Sequence, residues 1–224
     1  MLAAAKYSAI EALRDGRRLE IRALGPDDRA DLLAAVGRSS GQSLYCRLFV
    51  VRRGFTEPEI AFFLNPDFVD RVALVAVLEE NGRPVIAGGG RYVVVQPGKA
   101  EVAFAVVDQY QGQGIGAALM RHLAAIARGA GLEELIAEVL PDNIPMLKVF
   151  EKSGFRPQYE ARAPSRACRS SLLQGGGSVA VSGTQFTSLR SIELFPIAKI
   201  GNVEIGGIAG RGLMKIKGSC RNRL

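Results

Sequence analysis

Residues 100–117 of the chain read AEVAFAVVDQYQGQGIGA, and their types and spacing suit two kinds of chemistry. The first is anion binding. Gly112, Gly114 and Gly116 alternate at the junction between an apolar strand-like run and a helical pattern, with Gln111 and Gln113 beside them. The first N–H groups of a helix lack intrahelical partners and carry the positive end of its dipole, which suits a phosphate. Glycine there removes the Cβ that would block close approach. The second is proton transfer. Glu101 is the only acid of this strand before Asp108. It is either a solvated charge at a strand start or a general base beside a reaction centre, and position alone leaves both open.

Three readings of the glycines compete with a cofactor loop. A Walker-type loop needs Lys-Ser/Thr after its last glycine, whereas Ala117 and Ala118 follow Gly116. A permissive dinucleotide fingerprint is met by Gly112, Gly114 and Ala117, with Glu138 ending a later strand, but its glycines follow their strand almost at once. Here Asp108, Gln109, Tyr110 and Gln111 intervene, and the upstream chain reads as antiparallel hairpins. A bare tight turn does not require three alternating glycines flanked by polar Gln.

Composition narrows the classes further. Cys46, Cys168 and Cys220 lie far apart without a CxxC pair, and His122 is the one histidine. That excludes a zinc constellation and a disulfide framework, so no metal is expected and a reducing, cytoplasmic setting fits. The N-terminus has acids and arginines where a signal peptide would be apolar, and no uncharged stretch is apolar enough to span a membrane. The net charge of +7 suggests nucleic acid until it is divided along the chain. Residues 1–160 carry 19 Lys+Arg against 20 Asp+Glu, and residues 161–224 carry 10 against 2. The basicity belongs to the tail alone, so no specific nucleic-acid partner is expected.

The elements that must hold these residues can be read in order. Residues 19–24 alternate as a strand, and Pro26 with Asp27 opens a helix to Val36. Residues 43–50 form a short helical or irregular piece, and Thr56 with Glu59 has the spacing of a capping box before another short helix. Residues 72–78 read as a buried strand, Asn81-Gly82 as a hairpin turn, and residues 85–95 contain the returning strand. Pro97-Gly98 turns the chain into the strand 101–107. After the glycine loop a helix runs to about Arg128 with Gly131 at its C-cap. Residues 135–140 form a strand, Asp142 or Asn143 caps a helix that contains Pro145, and Gly154-Phe155 starts a further strand. The sum is an α+β fold, a mixed and mainly antiparallel sheet flanked by helices.

In this setting the sequence resembles the Gcn5-related N-acetyltransferases, or GNAT family. Gln111, Gln113, Gly114 and Gly116 match its acetyl-CoA signature, Gln/Arg-x-x-Gly-x-Gly/Ala. Residues 143–155 (NIPMLKVFEKSGF) resemble the family's Asn, aromatic and Gly-Phe segment, and residues 100–104 resemble the strand that carries a catalytic glutamate. The likeness covers roughly residues 19–156, and the body looks most like bacterial protein-lysine acetyltransferases. It implies acetyl-CoA as cosubstrate. The backbone of Gln111, Gly112, Gln113, Gly114, Ile115, Gly116 and Ala117 would hold the pyrophosphate. The pantetheine arm would lie along Ala105, Val106 and Val107, with an Ala105 or Val106 amide at the oxyanion of the tetrahedral intermediate. Glu101 would be the general base and Asn143 a pantetheine contact, although Asn143 also suits a plain helix cap.

One position departs from the family pattern. Phe150 stands where many members carry the tyrosine that protonates the leaving thiolate, so that acid is unassigned. Tyr45, Cys46 and Arg47 fall where members build the acceptor wall, and packing accounts for them; His122 reads as a surface or core histidine. The acceptor implied is a primary amine, most simply a protein lysine. A small-molecule amine, or an acetyl-CoA-binding module without turnover, is the alternative; oligomeric state is not legible.

The expected organisation is an N-terminal lead (1–18), the acetyltransferase domain (19–160) and a poorly specified, basic, Gly/Ser-rich tail (161–224). Nothing in that tail resembles the strand that should pair with the one begun at 155–160. The tail is expected to be disordered or non-native, with an improvised piece such as 177–181 at the sheet edge.

Overall fold

A computed structural model describes residues 2–48, 55–158 and 214–219. Its centre is an eight-stranded sheet. The strands are β1 (Ser8–Ala12), β2 (Arg18–Ala23), β3 (Arg71–Glu80), β4 (Arg83–Gln96), β5 (Lys99–Val106), β6 (Glu134–Val139), β7 (Arg156–Gln158) and β8 (Met214–Ser219). They lie in the order β1-β2-β3-β4-β5-β6-β8-β7. Every pairing is antiparallel except that of β5 with β6.

Local chemistry sets the long central hairpins. Asn81 (φ 51°) and Gly82 (φ 74°) both take left-handed backbone between β3 and β4, the two-residue turn whose twist matches the strands. Gly98 (φ 75°) turns β4 into β5. β3 is buried on both faces, which is why residues 72–78 form an unbroken apolar run.

Among the described residues six helices flank the sheet: α1 (Leu2–Ala5), α2 (Arg29–Gly37), α3 (Gly41–Leu48), α4 (Glu57–Leu64), α5 (Ile115–Gly129) and α6 (Ile144–Lys152). Thr56 and Glu59 cap α4 reciprocally, as their spacing requires: Thr56 N–H donates to Glu59 Oε2 at 2.7 Å. α5 buries Ile115, Ala118, Leu119, Leu123 and Ala127 against β3, β4 and β5, an i, i+3, i+4 stripe. α6 packs beside α5 on that face, where the Phe150 ring lies 5.3 Å from Phe104 and 5.2 Å from Phe155.

Two strands lie outside the domain limits expected from sequence. β1 belongs to the presumed lead and extends the sheet as an edge strand beside β2. β8 belongs to the tail, which contradicts the expectation that nothing there could partner the Gly-Phe strand. Residues 214–219 pair with β6 along six positions and with β7 along three. Ile216 is 2% exposed, and a Cβ on Gly218 would come within 2.6 Å of the Phe155 ring, so glycine is what lets the strand lie against that side chain. The expected improvised piece, residues 177–181, lies outside the described residues.

Candidate active site

The site begins where two strands part. β5 pairs with β4 from Lys99 to Val106, but with β6 only at Lys99, Ala100 and Glu101. Beyond Glu101 the two strands leave a gap. Val107 N–H donates to Ala87 O at 2.9 Å, so the polar groups of Val107 face β4. Strand alternation turns those of Val106 the other way, and the Val106 carbonyl accepts from Gln111 Nε2 at 3.0 Å. The same alternation aims the Phe104 amide at the gap and the Ala105 amide at β4. Of the two amides expected at an oxyanion, Val106 is the one turned away from β4.

The glycine loop closes the far end of this gap. Val107 leads into one turn of 3-10 helix (Asp108–Tyr110), and α5 starts at Ile115 with Gly114 as its N-cap. Gly112 (φ 77°) and Gly114 (φ 95°) are left-handed, and a Cβ on either would meet nothing within 4 Å. Glycine is therefore required here by backbone conformation, and the space in front of the loop is open. Gly116 has another reason: its Cβ would come within 3.2 Å of the Phe104 ring, on which the first turn of α5 sits.

The glutamines divide their work. Gln111 Nε2 donates to the Ser43 hydroxyl at 3.1 Å and to Asp108 Oδ1 at 3.2 Å, as well as to Val106 O, tying the loop to α3 and β5. Burial pushes the Asp108 carboxyl up, but the Ser43 and Ser40 hydroxyls and the Ser40 amide outweigh it and hold it below the usual range. Gln113 Nε2 donates to Gln109 O at 2.9 Å. Asn143 Oδ1 accepts from Met146 N–H at 3.3 Å, so it caps α6 and also lines the gap.

Two clefts meet at Arg47 and Ala103. The smaller, about 380 Å³, is the gap itself, with Arg47, Glu101, Glu138, Asn143 and Phe150 on its walls. The larger, about 860 Å³, lies on the α2–α4 side over β4 and β5 and is lined mostly by apolar side chains. Arg47 and Ala103 border both. Burial holds the Arg47 guanidinium down to about 10, against the opposing pull of Glu101. Arg91 is pushed well below the usual range by burial and by Arg47, with Glu101 opposing. Its guanidinium stacks 4.3 Å over the Phe63 ring and 5.1 Å over Phe62.

Glu101 thus sits at the closed end of the gap, in the field of two arginines. Sequence reasoning used Glu138 only in the dinucleotide fingerprint it set aside, and gave no role to Arg91. Glu138 lies on the outward-facing set of β6, two residues beyond Ile136, the partner of Glu101; strand periodicity could have found it. Phe150 is 2% exposed and packed between two rings, and no tyrosine lines the gap among the described residues. His122 is remote from the gap, bonded to Tyr7 and Glu11. The side chains of Tyr45 and Cys46 lie outside the described residues. Among the described residues no cluster of three metal-binding side chains forms, and no helix is long and apolar enough to cross a membrane.

A parted parallel strand pair, a left-handed glycine loop and an acid between them define a class of acyl-transfer site. Residues 43–155 match the Acetyltransferase (GNAT) family, and the chain belongs to that family of enzymes. An acetyltransferase of Pseudomonas aeruginosa is 31% identical over 152 residues, which are 67% of this chain and 82% of that protein. Acetyltransferase Pat of Mycolicibacterium smegmatis is 32% identical over 144 residues, 63% of this chain but only 42% of that longer protein. The crystal structure of the GNAT domain of S. lividans PAT superposes with a TM-score of 0.64 at 34% identity, covering 69% of this chain and 90% of that one.

Proposed function

We propose that this protein transfers the acetyl group of acetyl-CoA to a primary amine, a protein lysine in the first instance, by direct attack with Glu101 as general base. The observation that carries the reading is the gap after Glu101, with the Val106 amide turned into it and the open glycine loop at its end. In this reading the loop's backbone, from Gln111 to Ala117, takes the pyrophosphate at the start of α5. The pantetheine arm lies in the gap beside β5, and Asn143 flanks it. Freeing the Val106 carbonyl for that arm requires the Gln111 side chain to let go, so Gln111 changes partner on binding.

The amine arrives as an ammonium if it is a lysine, with a reference pKa of about 10.4. One of its protons passes to Glu101, directly or through one water, before the freed nitrogen bonds to the thioester carbon, and a second leaves the nitrogen for solvent as the amide forms. The Val106 N–H stabilises the oxyanion, an effect worth ~3 kcal/mol when such a donor is well placed. The C–S bond then breaks and CoA leaves as thiolate, protonated by solvent because Phe150 cannot donate. Glu138, on the same cleft, adds a second negative charge where an ammonium would enter.

The larger apolar cleft favours a second reading, in which a small amine is enclosed beside β4. Acetyl transfer to a peptide panel and to small amines, followed by mass spectrometry, separates the two. Stabilisation against heat by acetyl-CoA, with none from NADH or ATP, tests the donor. Ligand at a hundredfold excess over its Kd adds ~2.7 kcal/mol. An equal response to NADH would sink the reading.

A further inference from the structure

The glycine loop carries no cation. Within residues 108–117 the only charged side chain is Asp108, which is occupied with α3 through Ser40 and Ser43. The structure brings a cation to the loop from elsewhere. Arg17, at the tip of the β1–β2 hairpin, donates through Nη2 to Gln113 Oε1 at 2.5 Å. Its other partner is Asp15, whose carboxylate accepts from Arg17 Nε at 2.8 Å and from the Arg17 backbone N–H at 3.1 Å. Nη2 also lies 2.6 Å from Asp15 Oδ2, so Nε and both Nη2 hydrogens are taken by the hairpin and the loop, and no described residue accepts from Nη1.

The hairpin is fastened to the helix whose N-terminus the loop forms. Glu11 on β1 accepts from His122 Nε2 at 2.8 Å and from Arg121, both on α5, and Tyr7 O–H bonds His122 Nδ1. β1 is paired with β2 from Ser8 to Ala12. Three side-chain bonds across to α5 and a fourth at Gln113 therefore make the hairpin tip and the loop one body. Residues 8–23 lie outside residues 43–155, the span that matches the family.

We propose that Arg17 is a donor-binding residue, a guanidinium held over the glycine loop by the N-terminal hairpin to take a phosphate of the acetyl donor. This rests on the acetyl-CoA reading above. Nη1 offers a phosphate oxygen a charge-assisted hydrogen bond, and attachment through Asp15 and Gln113 lowers the entropy lost when the side chain engages. Acetyl-CoA offers a pyrophosphate and a 3′-phosphate, and either supplies the chemistry. The side chain is 41% exposed, so the contribution is a rim contribution, sensitive to salt.

Calorimetric titration of the full chain tests this. At low ionic strength, where the Debye length is about 30 Å, Arg17→Ala is expected to weaken acetyl-CoA about fivefold, and Arg17→Lys less. Near 1 M salt, with a Debye length of about 3 Å, the difference should vanish. S-acetylpantetheine, which has no phosphate, should bind wild type and Arg17→Ala alike. Acetyl-3′-dephospho-CoA identifies the source: a persisting Arg17→Ala defect assigns the pyrophosphate, and its loss assigns the 3′-phosphate. The unliganded melts of the variants should match wild type. Equal acetyl-CoA affinity at low salt, or an equal defect towards S-acetylpantetheine, overturns the assignment. Failure of wild type to bind acetyl-CoA at all defeats the reading beneath it instead.

Discussion

Glu101 lies in the field of Arg47 and Arg91, and that setting determines how its substitution must be read. Removing the carboxylate leaves two guanidiniums facing each other across a partly buried site, which costs stability as well as chemistry. Glu101→Gln is expected to lower kcat roughly a hundredfold at neutral pH, the scale of general-base catalysis, while the Kd for acetyl-CoA is unchanged. Turnover at the wild-type rate in a variant that melts lower would make Glu101 a charge partner for arginines and nothing more. Asp67 shows the opposite balance. Burial pushes its carboxyl up, but Arg71 and the amides of Val69 and Arg71 outweigh this and hold it at about 2. The folded value is lower than the unfolded value of about 3.9, so its stabilisation is present above pH 4 and is lost as pH falls towards 2. Asp67→Asn should flatten the melting temperature across that window, and an unchanged acid limb would count against the assignment. At this scale the sequence showed which residue types were available but not what they touch. Asn143 was legible as a cap because capping is local. Arg91 was not, because its rings come from a helix far away in sequence.

The glycine loop is the element on which sequence and structure agree most closely, since its cause is local. Gly112 and Gly114 announce left-handed backbone, and both take it. The reason differs from the simplest one: no atom crowds either position, and conformation selects glycine. A side chain at Gly114 is thus strained whether or not a ligand is present. Gly114→Val is expected to lower the unliganded melt by more than 1 kcal/mol and to abolish acetyl-CoA binding. A variant that binds normally would remove the loop from the site. The hairpins and α4 were equally legible, because Asn-Gly, Pro-Gly and the Thr-Glu pair act over a few residues. β1 was not. Its side chains alternate between exposed and half-buried, without the apolar period that marks a strand, and it is held by β2 and by side-chain bonds to α5. His122→Leu removes two of the three side-chain bonds to α5, leaving that of Arg121 with Glu11. It should lower the melt and, if the hairpin carries Arg17 as proposed, weaken acetyl-CoA as Arg17→Ala does.

At the scale of the whole molecule, the last described strand closes a sheet that the first 158 residues leave incomplete. β6 has only three pairings with β5, all before the gap, and along its opposite edge all six of its residues pair with β8. Among the described residues the short β7 pairs with β8 alone. The alternation of Met214, Ile216 and Gly218 with Lys215 and Lys217 is a strand pattern, but it follows 55 residues of basic and Gly/Ser-rich chain, and no short-range rule connects it to β7. Composition therefore suggested a dispensable tail where topology requires a strand. The consequence is testable at one residue. Ile216→Ala removes a side chain that is 2% exposed and should cost about 2–4 kcal/mol, read as a shift in denaturation midpoint. Deleting residues 214–224 should do more, exposing the edge of β6 that faces away from β5 and weakening acetyl-CoA by loosening β6, whose Glu138 and Val139 line the gap. Cleavage between Arg162 and Arg169, outside the described residues, should leave the fragment that carries β8 bound to the body in native mass spectrometry. A truncated chain that melts and binds acetyl-CoA like the full one would show that β8 is an ornament on a sheet already stable without it.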